Sequence, residues 1–268
     1  MSRPPLATGW EPDADPGDTF LRREVLNLAA RYRFCAERAG VDHLDGADLV
    51  GVRLSEDAPW GNDVVLLTPL EASGVPALVE RLSDEVTWPT CIWSAWPTPD
   101  LAPHGLDLLG HPPWMLRPPG GSPPPGATEI DGVEIVEVVD EAGMTDYDWA
   151  VIRGFPLMYS DGRYLSGVLR PSFAGGPWRF FVAYVDGKPV SVASAFIAEG
   201  IQQVEWVATL PDHRGKGIGE ALTWRATLVE PDLPATLIAS DLGRPIYERI
   251  GFLPLQRMTM WQWKGSAR

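Results

Sequence analysis

The chain has 268 residues, with 22 Lys and Arg against 36 Asp and Glu, a formal net charge of −14. Hydrophobic residues at 45% and aromatics at 10% supply a core and exclude a chain disordered throughout, while a soft prior of about 150 residues per domain suggests two domains. The acidity disfavours nucleic acid, whose phosphates need a basic surface, and no apolar run approaches the ~20 residues that span a bilayer.

Taken in chain order, residues 1–24 hold no apolar run of the kind a secretory signal needs. Residues 19–38 read as a helix: Phe20, Leu21, Val25, Leu28, Ala29, Tyr32 and Cys35 recur at helical spacing, with Asp18 or Thr19 as cap. Residues 48–54 and 63–68 read as strands, 71–84 as an amphipathic helix, and Cys91 to Trp96 as a strand stopped by Pro97. A short helix is expected near 100–109, ended by Gly110, with Trp114 to Leu116 as a last strand. The stretch from Arg117 to Thr128 is nearly all Pro, Gly and Ser and reads as an extended linker. We place domains at 1–117 and 131–268, joined by a linker at 118–130.

Beyond the linker, Val133 to Val139 is a strand and 141–154 a helix. A short helix is expected at 163–169. Trp178 to Val185 and Lys188 to Ile197 form a hairpin about the turn Asp186-Gly187. Glu199-Gly200 turns into a strand from Ile201 to Leu210. A helix over 215–228, a strand over 235–239, a helix over 244–250 and one or two closing strands from Leu253 to Trp263 complete the order. The predicted class is a mixed α/β sheet protein.

Charge divides unevenly. Residues 1–150 carry 26 acidic and 9 basic side chains, and residues 151–268 carry 10 and 13. The second half tolerates a polyanionic ligand and the first repels one, although an acidic surface also serves solubility alone. Cys35 and Cys91 are the two cysteines; they cannot build a Cys-based zinc site and fit a reducing cytoplasm. His43, His104, His111 and His213 show no metal-ligand spacing, so no metal is expected.

The most informative segment runs from Val207 to Leu222. A β-branched strand meets Pro211, then a loop with Gly215, Gly217 and Gly219, then a helix. Glycines let backbone N–H groups approach an anion, the helix start adds unpaired N–H groups and a positive dipole end, and Arg214 and Lys216 add charge. This suits a pyrophosphate. It lacks the Gly-Lys-Ser/Thr of a Walker loop and follows hairpins rather than opening a βαβ unit. Taken alone, the loop reads equally well as structural.

Arg214-x-x-Gly217-x-Gly219 between strand and helix resembles the acyl-CoA pyrophosphate loop of the GNAT N-acyltransferases. The segment Ala239 to Phe252, with Tyr247 in a short helix before Gly251-Phe252, resembles that family's second hallmark. The resemblance covers residues 131–268. The first half lacks both motifs, but its element order looks like a decayed copy, so two tandem GNAT-like domains are expected.

The resemblance implies acetyl-CoA as co-substrate. It would be held by the backbone of Val207, Ala208 and Thr209 and by Arg214, Gly215, Lys216, Gly217, Ile218 and Gly219, with the Val207 amide polarising the thioester carbonyl. It implies Tyr247 as general acid, where the plain alternative is a core aromatic. Glu205 is the candidate base, or an exposed strand residue. Simple alternation puts Glu205, Val207 and Thr209 on one face, unless a bulge intervenes. Asp241 either contacts the acceptor or caps the following helix.

The expected acceptor is a small, cationic primary amine, bound in an acidic and Trp-rich interface between the halves. The expected protein is a cytoplasmic monomer or homodimer. A non-catalytic acyl-CoA-binding or regulatory module, a structural dimer, and another reaction on the same fold are the alternatives.

Overall fold

A computed structural model describes residues 19–56, 58–159 and 161–266. Residues 1–18, most of the segment read above for a leader, lie outside them. Helix α1 (Phe20–Ala39) starts where Thr19 Oγ1 accepts the Arg22 N–H at 3.2 Å and ends at left-handed Gly40. Strands β1 (His43–Asp45), β2 (Leu49–Arg53) and β3 (Asn62–Leu66), helix α2 (Val75–Glu85), and strands β4 (Thr90–Ser94), β5 (Asp107–Gly110) and β6 (Pro113–Arg117) follow. After the linker come β7 (Glu134–Glu137), α3 (Glu141–Gly154), β8 (Trp178–Val185), β9 (Lys188–Ala198), β10 (Ile201–Thr209), α4 (Ile218–Thr227), β11 (Ala235–Ile238), α5 (Arg244–Ile250), β12 (Leu253–Arg257) and β13 (Thr259–Trp263). Among the described residues no helix is long and apolar enough to cross a membrane.

Two expected helices are absent. Over 100–109 a single turn, Ala102–His104, closes at Gly105 with φ 86°, and the chain then extends as β5 against β13. Over 163–169 the amides of Gly167 and Leu169 donate to the Asp148 carboxylate at 2.7 and 2.8 Å, so they are not available to a helical ladder. The helix expected from residue 215 begins at Ile218, because Gly217 is left-handed at φ 80°.

Each half follows one plan: a helix, three antiparallel strands, a crossover helix and a parallel strand. The parallel pairs are β3–β4 and β10–β11. The first sheet has the order β1-β2-β3-β4-β13-β5 and the second β12-β6-β11-β10-β9-β8-β7. Strand β6, expected to close its own half, lies inside the second sheet, and β13 lies inside the first. Both strands carry inward apolar side chains: Trp114 and Leu116 face the space between the sheets, and Trp261 and Trp263 face α2. An interior position buries them as an edge cannot.

The layers follow. Helix α2 covers the outer face of the first sheet with Leu49, Val64 and Leu82, and α4 and α5 cover the outer face of the second with Leu222, Leu237 and Phe252. Between the sheets lie α1 and α3, packed through Leu28, Val65, Trp114, Tyr147 and Trp178. The linker is tied down: Gly120 N–H donates to Pro231 at 2.8 Å, and Arg117 donates to Ile250 at 3.0 Å while stacking on Trp224.

Candidate active site

Strand β10 is broken where chemistry was expected. Glu205 pairs with Ser194, but the next partners are Ala208 and Val192, so Trp206 and Val207 fall outside the ladder. Trp206 has φ 52°, a left-handed conformation that costs a non-glycine residue about 1–3 kcal/mol. This bulge corrects the alternation expected above. Val204 and Val207 pack toward α4, while Glu205, Trp206 and Ala208 turn toward the layer between the sheets. Val207 thus has no paired residue across the ladder.

The chain after Thr209 turns once at Pro211–His213, passes through left-handed Gly215 (φ 73°) and Gly217 (φ 80°), and enters α4. Gly215, Lys216 and Gly217 are exposed. At Gly219 a Cβ would come within 3.0 Å of Thr209 Oγ1, which in turn bonds Ser191 Oγ at 2.7 Å. The first turn of α4 thus needs glycine to sit against the strand end. Ile218 is core by its side chain and offers only its amide. Arg214 is exposed as well, but its guanidinium is engaged: Nε donates to Thr209 O at 3.0 Å and Nη2 to Gly154 O at 2.9 Å. It staples the loop to the end of α3, leaving the loop amides and Lys216 to meet an anion. An open glycine cradle at a helix start fits the pyrophosphate of acetyl-CoA.

Tyr247, on α5, packs edge-on against Phe252 with ring centroids 6.2 Å apart. Among the described residues its hydroxyl has no hydrogen-bond partner. Burial, and then the negative charge of Glu205, push its phenol up to about 12, so it keeps its proton at neutral pH. Glu205 is held by Arg31 of α1, with Nη1 to Oε2 at 3.0 Å. Burial raises the Glu205 carboxyl above its ordinary range, Arg31 opposes this, and Asp63 adds to it. Arg31 stays charged against its burial because the Glu205 carboxylate pairs with it.

Below this pair lies a residue the sequence reading passed over. Glu24 is fully buried and accepts from Gln203 Nε2 at 2.5 Å and Thr236 Oγ1 at 2.6 Å, bridging β10 and β11. Glu24, Asn27 and Arg31 lie at i, i+3 and i+7 and form a polar stripe down the buried face of α1. Burial lifts the Glu24 carboxyl from 4.5 to about 7. The unfolded chain therefore loses this proton first, and stability falls as pH rises from about 4.5 to about 7, by about 3 kcal/mol, then levels. Urea denaturation at several pH values checks this: Glu24→Gln is expected to flatten that leg of the profile.

Asp241 does not cap α5. Ser240 Oγ accepts the Gly243 N–H at 3.0 Å instead, and Asp241 is exposed and paired with Arg257 at 2.9 Å. The shorter hydroxyl reaches back into the turn, while the arginine of β12 draws the carboxylate out.

Comparison with known proteins adds the family. Residues 176–254, from the start of β8 into β12, match the family model described as an acetyltransferase (GNAT) domain. The chain is similar to a GCN5-related N-acetyltransferase from Kribbella flavida, at 21% identity and TM-score 0.60, over 89% of this chain and 96% of that one. It is also similar to a GCN5-related N-acetyltransferase from Sphaerobacter thermophilus, at 14% identity and TM-score 0.55, over 92% and 95%. No curated protein matches the chain. Residues 176–254 thus match the GNAT acetyltransferase domain, and the chain as a whole shares its fold with the two GCN5-related N-acetyltransferase structures.

Proposed function

We propose that the protein transfers an acetyl group from acetyl-CoA directly to the primary amine of a small cationic molecule. The observation that carries this reading is the open glycine loop at the start of α4, which directly follows a strand whose bulge takes Val207 out of the ladder. Acetyl-CoA supplies an activated acetyl thioester. The amides of Gly215 to Gly219 and the α4 dipole hold the pyrophosphate, with Lys216 adding charge. The Val207 N–H donates to the carbonyl oxygen. Glu205 Oε takes the proton of the acceptor amine, and Tyr247 Oη is the proton source for the departing sulfur.

The first half supports this reading as a decayed copy. Its β3-to-α2 connection has one glycine, Gly74, with an ordinary φ of −86°, so no comparable cradle forms there. Only the second half can hold the donor.

Thermal melting tests the donor site. Acetyl-CoA or CoA at about 100 times its dissociation constant should add roughly 2.7 kcal/mol, a rise of roughly 5–10 °C, and ATP should add little. In Gly217→Trp the indole fills the cradle and the rise is expected to vanish. No rise in the parent protein with either CoA compound would overturn the reading.

A further inference from the structure

Strands β10 and β11 run side by side in parallel, yet they pair only at Gln202–Ala235 and Gln203–Thr236. Beyond that point each keeps its outer neighbour. Val204 and Glu205 still pair with Ala195 and Ser194 of β9, and Leu237 and Ile238 pair with Met115 and Trp114 of β6. The sheet therefore opens in its middle, and the fork lies directly past Gln203 and Thr236. A ladder holds its strands about 4.8 Å apart, and past the fork no pairing holds these two at that spacing.

One side chain grips both strands at the fork. Glu24 of α1 accepts from Gln203 Nε2 at 2.5 Å and from Thr236 Oγ1 at 2.6 Å, one bond to each carboxylate oxygen. Gln203 and Thr236 are the last pair of the ladder. All three residues are fully buried, and Gln203 Oε1 is left without a partner among the described residues. Apolar residues would fill this space and leave no polar atom unpaired, so packing alone does not call for the trio. Buried polar contacts are better suited to fixing register than to adding stability. The register fixed here is the point where two strands part.

We infer that Glu24, supplied by the half without the donor loop, is a positioning residue: it fixes where β10 and β11 part, and so the slot through which the acyl-carrying arm of acetyl-CoA reaches Val207. This rests on the acetyltransferase reading, which puts the pyrophosphate at residues 215–219 and the thioester at Val207. The arm between them must pass Thr209 and Ala208. One edge of β10 is occupied there, since Ala208 and Thr209 pair with Val192 and Ser191 of β9. The edge toward β11 is the free one. Without the Glu24 clamp the strands are free to close on each other or to slip, and the arm loses its track while the loop stays as it is.

The test titrates the full chain by calorimetry with two ligands: acetyl-CoA, and adenosine 3′-phosphate 5′-diphosphate, the same donor cut back to its pyrophosphate end. Both are expected to bind the parent protein. Glu24→Leu removes the clamp and keeps the bulk. It is expected to weaken acetyl-CoA by about tenfold or more and the armless nucleotide by about twofold or less, since only contacts of the arm are lost. Glu24→Gln, which offers an oxygen to one strand and an N–H to the other, is expected to restore most of the loss. Thr236→Val cuts one of the two bonds and is expected to shift the ratio of the two affinities in the same direction; it decides the question if Glu24→Leu does not fold. A merely structural role lowers the melting temperature and leaves that ratio alone. An unchanged ratio in folded Glu24→Leu or Thr236→Val would overturn the inference. Failure of acetyl-CoA to bind the parent would instead overturn the acetyltransferase reading.

Discussion

Replacing Tyr247 by Phe is expected to lower turnover by about 10- to 10³-fold, with the acetyl-CoA melting shift little changed. The ring packing on Phe252 survives the change, and among the described residues the hydroxyl binds nothing, so stability should hold. What is lost is a proton donor whose pKa of about 12 keeps it loaded at working pH. For the same reason the parent rate should show no loss from phenol ionisation between pH 7 and 9. Steady-state kinetics with CoA release as readout settles the point, and equal turnover in the two proteins would reduce Tyr247 to a packing residue.

Replacing Arg31 by Met is expected to cost about 3–5 kcal/mol of stability, because it leaves the Glu205 carboxylate buried without its counter-charge. The methionine fills the stem but cannot hold the charge, and the contacts of the guanidinium with the Tyr32 and Trp178 rings also go. Glu205 would then titrate higher still, so activity should fall with stability. Adding Glu205→Gln should recover much of the stability and none of the activity. Urea denaturation of the single and double variants measures this. A single variant as stable as the parent would show that the pair contributes nothing net.

How much of this could be read in advance depended on the range of each interaction. The loop was legible because left-handed backbone at residues 215 and 217 calls for glycine. The β8–β9 hairpin was legible because Asp186 and Gly187 both need positive φ. Helix α3 carries its own cap in Asp140. The bulge was not legible: Trp206 is a non-glycine residue held left-handed by its surroundings, and nothing local signals it. The polar stripe of Glu24, Asn27 and Arg31 stood in the spacing of α1, but its partners lie far along the chain, at Gln203, Ala198 and Glu205. The placement of β6 and β13 was hidden for a simpler reason, since an apolar strand looks the same whichever sheet receives it.

That placement makes the two halves one unit of folding despite the Pro-rich connector between them. Neither sheet is whole until the other half has lent it an inner strand: Ser94 must find Thr259, and Leu116 must find both Thr236 and Leu253. Such distant partners are met late, after local helices and hairpins have formed. A chain nicked in the connector would stay together as two interlocked fragments and melt in a single step. A chain truncated at either side of it would present an unfilled slot between strands rather than a domain. The first half therefore cannot be shed, because the second half has no complete sheet without it.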